Sequence, residues 1–394
     1  MPIERIIIIV ADACGVGELP DAGAYGDQGA STIPNVAKMV GGLQLPNLQQ
    51  LGLGNIVPIQ GVPPASSPTG SFGKMAEQSP GKDSTTGHWE MAGIILDAPF
   101  PVFPDGFPKD VVEEFERRSG RKTIGNIAAS GTEIIERLGE EHLRTGALIL
   151  YTSADSVFQL AAHEELIPVP EQYRICEIAR ELLTGQYDVG RVIARPFVGK
   201  VGSFERTSRR KDFSRLPHSP TMLDLLQKAG KPVLAIGKIY DLFAGQGIDK
   251  AIKTANNREV MQATIEAIKS DSTHKLIFAN CVDFDQLWGH RNDETNFAKA
   301  LEEFDTDLGQ LLPQLGKTDQ LIITADHGCD PTQKLSTDHS REYVPLLVYG
   351  ADIRGGVNLG TRQTFADLGA TVCDIMGAHR PSAGSSFRTQ IGQK

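Results

Sequence analysis

The chain has 394 residues, which is long for one domain and natural for two. With 40% hydrophobic and 22% charged residues it has the composition of a globular protein that can bury a core. A formal net charge of −10 speaks against a nucleic-acid or anionic-membrane partner, so a small anionic substrate would have to be drawn by local positive charge.

In chain order, the first element is an apolar run at residues 5–11, read as a strand. It is too short for a membrane span or a signal peptide, so a cytoplasmic location is the default expectation. The Pro- and aromatic-rich stretch at 98–107 reads as a crossing between domains. Helices follow near 108–118, 132–138 and 172–183, with strands at 147–151 and 191–194, before a second Pro-rich break near 216–220. Beyond it, Ser219 and Gly230 bracket a helix, with Ser219 as its expected N-cap. Runs at 232–236, 276–282, 321–325 and 344–349 lack polar alternation, as strands buried on both faces do. Phe297, Leu301, Phe304 and Leu308 share a helical face. Thr364 and Asp367 can cap a last helix that buries Phe365, Leu368, Val372 and Ile375 and stops at Gly377. Alternation of strands and helices predicts an α/β fold with a central, mostly parallel sheet flanked by helices. The expected domains are a discontinuous core, 1–97 with 218–394, and a smaller inserted α/β domain, 98–217.

Acids and histidines stand just past several of these strands. Asp12 follows the first run, Asp285 and His290 follow the 276–282 run, Asp326 and His327 follow the 321–325 run, and His339 lies one loop later. Ligands bind at the carboxyl edge of parallel strands. Three Asp and three His there could hold two divalent metals through oxygen and nitrogen donors. A lone Asp in such a place often caps a helix, but six together point to a metal centre. The five cysteines, Cys14, Cys176, Cys281, Cys329 and Cys373, are scattered and include no CxxC, which suits a reducing compartment.

The segment Lys82-Asp83-Ser84-Thr85-Thr86-Gly87-His88 stacks hydroxyls before a helix start. Ser84 or Thr85 is then either an N-cap or a nucleophile placed where backbone N–H groups favour a phosphoryl group. Gly15-Val16-Gly17 lacks the third glycine of a dinucleotide loop. The basic run from Arg206 to Lys211 and the strand-end Lys238 are further places where a phosphate could bind, or simply solvated charges.

Taken together, these motifs resemble those of the bacterial phosphopentomutases in the alkaline phosphatase superfamily. The resemblance covers essentially the whole chain, including Gly81-Lys82-Asp83-Ser84-Thr85-Thr86-Gly87-His88-Trp89-Glu90, Tyr151-Thr152-Ser153-Ala154-Asp155-Ser156, Gly190-Arg191-Val192-Ile193-Ala194-Arg195, Val282-Asp283-Phe284-Asp285, Thr324-Ala325-Asp326-His327-Gly328 and Thr337-Asp338-His339. It implies an alkaline-phosphatase-like core with an inserted cap domain, and interconversion of ribose 1-phosphate and ribose 5-phosphate and of the 2-deoxyribose pair. It further implies two manganese ions, one on Asp12, Asp326 and His327 and the other on Asp285, His290 and His339. The nucleophile by position is Ser84, where family members commonly carry Thr, with Thr86 in support. Substrate contacts transfer to Ser153, Asp155, Val157, Arg191, Ile193 and Lys238. A sugar bisphosphate of the glucose 1,6-bisphosphate type would prime the enzyme. A cytoplasmic monomer acting on small sugar phosphates is expected, with no nucleic-acid or membrane partner. The alternative on the same core is a metal-dependent phosphatase or other phosphoester hydrolase.

Overall fold

The computed structural model describes residues 3–153 and 155–392, in two compact units: Met1–Pro99 with Pro217–Lys394, and Phe100–Leu216. Among the described residues, no helix is long and apolar enough to cross a membrane.

The larger unit is built on an eight-stranded sheet in the order Lys250–Ile252, Val233–Ile236, Leu276–Cys281, Arg5–Ala11, Asp319–Thr324, Val344–Gly350, Ser71–Met75, Asn358–Arg362. Arg5–Ala11 lies parallel to both its neighbours, with Ile8 opposite Phe278 on one side and Ile322 on the other. Residues Ile6 to Val10 are fully buried, which is why this run carries no polar alternation. One strand departs from the parallel set: Val344–Gly350 runs antiparallel to both Asp319–Thr324 and Ser71–Met75. An unbroken apolar run reports burial on two faces and is silent about direction. The sheet is therefore mixed, and mostly parallel. Ser71–Met75, Lys250–Ile252 and Asn358–Arg362 carry few β-branched residues and were not anticipated.

Helices flank this sheet. Glu294–Leu311 buries Phe297, Leu301, Phe304 and Leu308 as their spacing predicts. The helix expected after Ser219 is Met222–Lys228, and its N-cap is Thr221: the Thr221 hydroxyl accepts from Asp224 N–H while the Asp224 carboxylate accepts from Thr221 N–H. That reciprocal pair needs a three-residue spacing, which Thr221 and Asp224 have. In helix Ala366–Met376, Thr364 does not form the anticipated box. Its hydroxyl donates to Glu90, and Asp367 binds Arg362 and Ser385 N–H. Gly377 ends that helix with φ 69°, a left-handed conformation that glycine adopts without strain.

The smaller unit has its own six-stranded sheet, ordered Thr123–Ala128, Leu148–Thr152, Val157–His163, Arg191–Lys200, Ser203–Arg206, with Lys211–Ser214 also paired to Arg191–Lys200. Strand alternation sorts its side chains onto two faces. Leu148, Leu150, Phe158 and Leu160 pack with Phe115, Ile175 and Ala179 from helices Lys109–Ser119 and Val169–Leu182. Ile149, Tyr151, Ala161 and Phe197 pack with Ile134 and Ile135 from helix Gly131–Thr145. Phe107 and Phe115 meet Phe158 edge-on at 4.7 and 5.2 Å, tying the first of these cores together.

Ile8→Ala should lower the unfolding free energy of the larger unit by about 2–5 kcal/mol, because the central strand has no room to collapse around the void. A urea titration reading that unit's transition would show no shift if the strand were peripheral.

Candidate metal centre

Three strand ends of the larger sheet converge. Asp12 directly follows Ala11, and its backbone N–H donates to Cys281 O at 3.2 Å across the strand ends. The next residue, Ala13, has φ 66°, an uncommon conformation for a residue with a side chain. It turns the backbone so that Ala13 N–H donates to Asp326 Oδ1 at 3.2 Å and Ala13 O accepts from Cys329 N–H at 3.2 Å. Asn280, the penultimate residue of its strand, donates to Asp12 Oδ2 at 2.9 Å. Asp285 sits in a π-helical turn, Phe284–Trp288, a wide turn often found at functional sites.

The imidazoles are oriented by backbone carbonyls. His327 Nδ1 donates to Gly328 O at 3.0 Å and His290 Nδ1 to Thr337 O at 2.6 Å, so both rings turn Nε2 inward. His327 Nε2 lies 3.3 Å from Asp12 Oδ1 and 3.5 Å from Asp326 Oδ2. His290 Nε2 and His339 Nε2 lie 3.3 and 3.5 Å from Asp285 Oδ1.

Electrostatics follow from this crowding. Burial and then the Asp326 charge raise the Asp12 carboxyl above its ordinary range. Burial also opposes ionisation of Asp326, but the His327 and His88 charges outweigh it and hold Asp326 at about 2. For Asp285 the opposing burial is likewise overcome, by His339 and His290, and the carboxyl falls well below its ordinary value. Against its own burial, His290 is raised to about 12, with Asp285 as the main cause. Negative charge here is tolerated only beside positive charge.

A divalent cation fits that requirement. Asp12 Oδ1, Asp285 Oδ1 and Asp326 Oδ2 are all buried and accept no hydrogen bond. Among the described residues, donor atoms lie within 4.8 Å of one another in three groups: Asp12, Asp326 and His327; Asp285, His327 and His339; Asp285, His290 and Cys329. The first is the set expected from sequence. Around Asp285 the structure distributes His290 and His339 between two groups and adds Cys329.

Ser84 begins helix Ser84–Met91, and its cap is Asp83, whose carboxylate accepts from Thr85 N–H and Thr86 N–H at 3.0 and 3.1 Å. The Thr86 hydroxyl donates to the same carboxylate. Neither Ser84 nor Thr85 is the cap. Ser84 Oγ lies 3.2 Å from His327 Nε2. Gly87 lets the helix close on Asp326, since a Cβ there would stand 2.2 Å from Asp326 O. His88 Nδ1 donates to Ser84 O at 2.8 Å and lies 3.1 Å from Asp326 Oδ2.

The expected substrate residues fall in both units. Ser153 and Asp155 occupy the loop between Leu148–Thr152 and Val157–His163; Ala154 lies outside the described residues. Val157 pairs with Arg191, and Gln159 with Ile193, on adjacent strands. Arg191 contacts Asp155 Oδ2 at 3.2 Å and Asp212 Oδ2 at 3.5 Å. Lys238 belongs to the larger unit, just before helix Ile239–Leu242.

Sequence reading missed Asn280, His88, Cys329, Arg341 and Glu342. Arg341 is buried and donates to the carbonyls of Glu77, Ser79 and Gly81, fixing the approach to Ser84. Glu342 accepts from Thr32 and Ser340, close in sequence to His339. Only the short spacing from His339 could have flagged these two.

Residues 4–380 match the metalloenzyme superfamily. The chain is 56% identical over 393 residues to a phosphopentomutase of Caldanaerobacter subterraneus subsp. tengcongensis, covering 100% of this chain and 99% of that protein. It is also 56% identical over 388 residues to the Thermotoga maritima phosphopentomutase, covering 98% and 99%. A solved protein of Pyrococcus horikoshii shares the fold, with a TM-score of 0.51 at 16% identity, covering 98% of this chain and 100% of its own.

Two outcomes are expected. Gly87→Ala should weaken divalent-metal affinity about 10–100-fold by prising Ser84–Met91 off Asp326, as calorimetry would register; unchanged affinity would dismiss the close approach as incidental. Burial raises the Glu342 carboxyl from 4.5 to about 7. Its stabilising contribution is therefore complete below about 4.5 and lost as pH rises through about 7, so Glu342→Gln should flatten the fall in thermal stability across that window.

Proposed function

Because the chain belongs to the metalloenzyme superfamily and, within it, to the phosphopentomutases, which are isomerases, we propose that it interconverts ribose 1-phosphate and ribose 5-phosphate, and the 2-deoxyribose pair, through a phosphorylated Ser84. The observation that carries this reading is Ser84 Oγ, 3.2 Å from His327 Nε2 within the ring of carboxylates and imidazoles. Asp12, Asp326 and His327 would hold one divalent ion and Asp285, His290 and His339 a second, manganese in both cases by family resemblance. Such ions, when bound, supply charge that activates a hydroxyl and neutralises phosphoryl oxygens.

The remaining work falls to the chain. The N-terminus of Ser84–Met91 turns backbone N–H groups toward a phosphoryl group on Ser84. In the forward step the phosphorus–Oγ bond of phosphoserine breaks as the free C1 or C5 hydroxyl of the sugar phosphate bonds to phosphorus, and the proton that hydroxyl loses is balanced by the one the departing Ser84 Oγ takes up. The product is a pentose 1,5-bisphosphate, and the reverse step returns its other phosphate to Ser84. Ser153, Asp155, Val157, Arg191 and Ile193 of the inserted unit, which we read as a cap, and Lys238 of the core bind and orient the sugar phosphate. Water must be kept from the phosphoserine, since water as acceptor would make the enzyme a phosphatase. Priming by a sugar bisphosphate supplies the first phosphoryl group. The five cysteines are unpaired and buried, which suits action in the cytoplasm. We take the working unit to be a monomer.

With Mn²⁺, glucose 1,6-bisphosphate and ribose 5-phosphate, the protein should form ribose 1-phosphate with little free phosphate. Mainly released phosphate would establish the hydrolase instead. Ser84→Ala should lose turnover and the phosphoryl adduct seen by mass spectrometry, whereas Ser84→Thr should keep both; an adduct persisting in Ser84→Ala would move the nucleophile elsewhere.

A further inference from the structure

Cys329 stands two residues beyond His327 and is buried. Its backbone N–H is held by Ala13 O at 3.2 Å and Thr32 Oγ1 at 3.1 Å, so its position is set by the same turn that follows Asp12. Its sulfur, a carboxylate oxygen of Asp285 and a ring nitrogen of His290 all lie within 4.8 Å of one another. The residue before His290 is Gly289, where a Cβ would stand 2.9 Å from that sulfur; any side chain there would push the thiol away.

The three groups face one another in a buried cluster. Asp285 Oδ1 is buried and accepts no hydrogen bond. His290 spends Nδ1 on Thr337 O at 2.6 Å, which turns Nε2 toward Asp285 Oδ1 at 3.3 Å and toward the Cys329 sulfur. The Cys329 thiol makes a long contact of 3.6 Å with Asp338 O. One oxygen, one nitrogen and one sulfur thus converge, and the nitrogen and sulfur become donors on losing their protons to an incoming cation. Manganese favours oxygen and nitrogen, whereas zinc and cadmium take a thiolate readily.

We propose that Asp285, His290 and Cys329 form a binding site for a thiophilic divalent cation such as Zn²⁺ or Cd²⁺, in competition with the hard ion assigned to Asp285, His290 and His339. Binding replaces the S–H bond with a sulfur–metal bond and the His290 Nε2–H bond with a nitrogen–metal bond, releasing both protons to solvent with no change of oxidation state. Asp285 and His290 belong to both sets, so a soft ion captured here takes two donors from the catalytic ion. This rests on the reading of Asp285 and His290 as ligands given above.

The test uses the full chain, stripped by a chelator and titrated with Co²⁺ alone. Visible d–d bands report cobalt in the centre, and a near-ultraviolet charge-transfer band reports a sulfur ligand. The wild type should show both; Cys329→Ser should keep the d–d bands and lose the charge-transfer band, and Cys14→Ser should keep both. Zn²⁺ affinity should fall at least about tenfold in Cys329→Ser, with Mn²⁺ affinity unchanged. A wild type with d–d bands and no charge-transfer band overturns the thiolate site and leaves the metal centre standing. Absence of both bands overturns the ligand reading itself. Cys329→Ala, equally stripped of sulfur, guards against a disturbed pocket in the Ser variant; a charge-transfer band surviving in either folded variant also overturns the site.

Discussion

Three carboxylates buried together without enough hydrogen bonds are the constraint on which the larger unit depends. Asp12, Asp285 and Asp326 each keep a buried oxygen that accepts none. Burying such charges is costly unless positive charge meets them closely. The opposed shifts of Asp12 upward and of Asp285 and Asp326 downward show one shared field rather than three separate residues. A rigid frame is needed to hold like charges near one another. Three neighbouring strands, Leu276–Cys281, Arg5–Ala11 and Asp319–Thr324, provide it, because their fully paired interiors leave the strand ends little freedom.

The helix that presents Ser84 is fastened to the same frame. Asp83 caps it, Gly87 allows contact with Asp326 O, and His88 links Ser84 O with Asp326. Arg341, two residues past His339, binds the carbonyls of the segment leading into it, and Lys82 reaches Asp338 at 3.2 Å. The start of the Ser84 helix and the loop carrying His339 therefore share one hydrogen-bond network, so neither can shift without disturbing the other. The inserted unit is organised differently: its sheet is covered by helices on both faces, and its expected ligand contacts lie on the loop before Val157 and on the adjoining strands Val157–His163 and Arg191–Lys200.

Much of this was legible in the amino-acid order. Ile6 to Val10 read as a buried strand because nothing polar interrupts it, and the Phe297, Leu301, Phe304 and Leu308 spacing read as a buried helix face for the same reason. Asp12, Asp285, Asp326 and His327 stood out because each follows such a run. Thr221 was passed over for Ser219, since both hydroxyls precede the helix and only the partner at Asp224 decides between them. Cys329 and Asn280 gave no signal, because a cysteine in a loop and an asparagine inside a strand carry none until a neighbour from another part of the chain faces them.

The sequence by itself determined which segments are buried, where they end, and that acids and histidines stand at those ends; periodicity and residue type are local properties and suffice for that. Tertiary structure alone decided that Val344–Gly350 runs against its neighbours, that His327 serves two donor groups, that Asp83 rather than Ser84 caps its helix, and that a sulfur stands beside His290. Each of these depends on which distant backbone comes within a few ångströms, and hydrogen-bond direction and side-chain reach settle that only once the strands have paired.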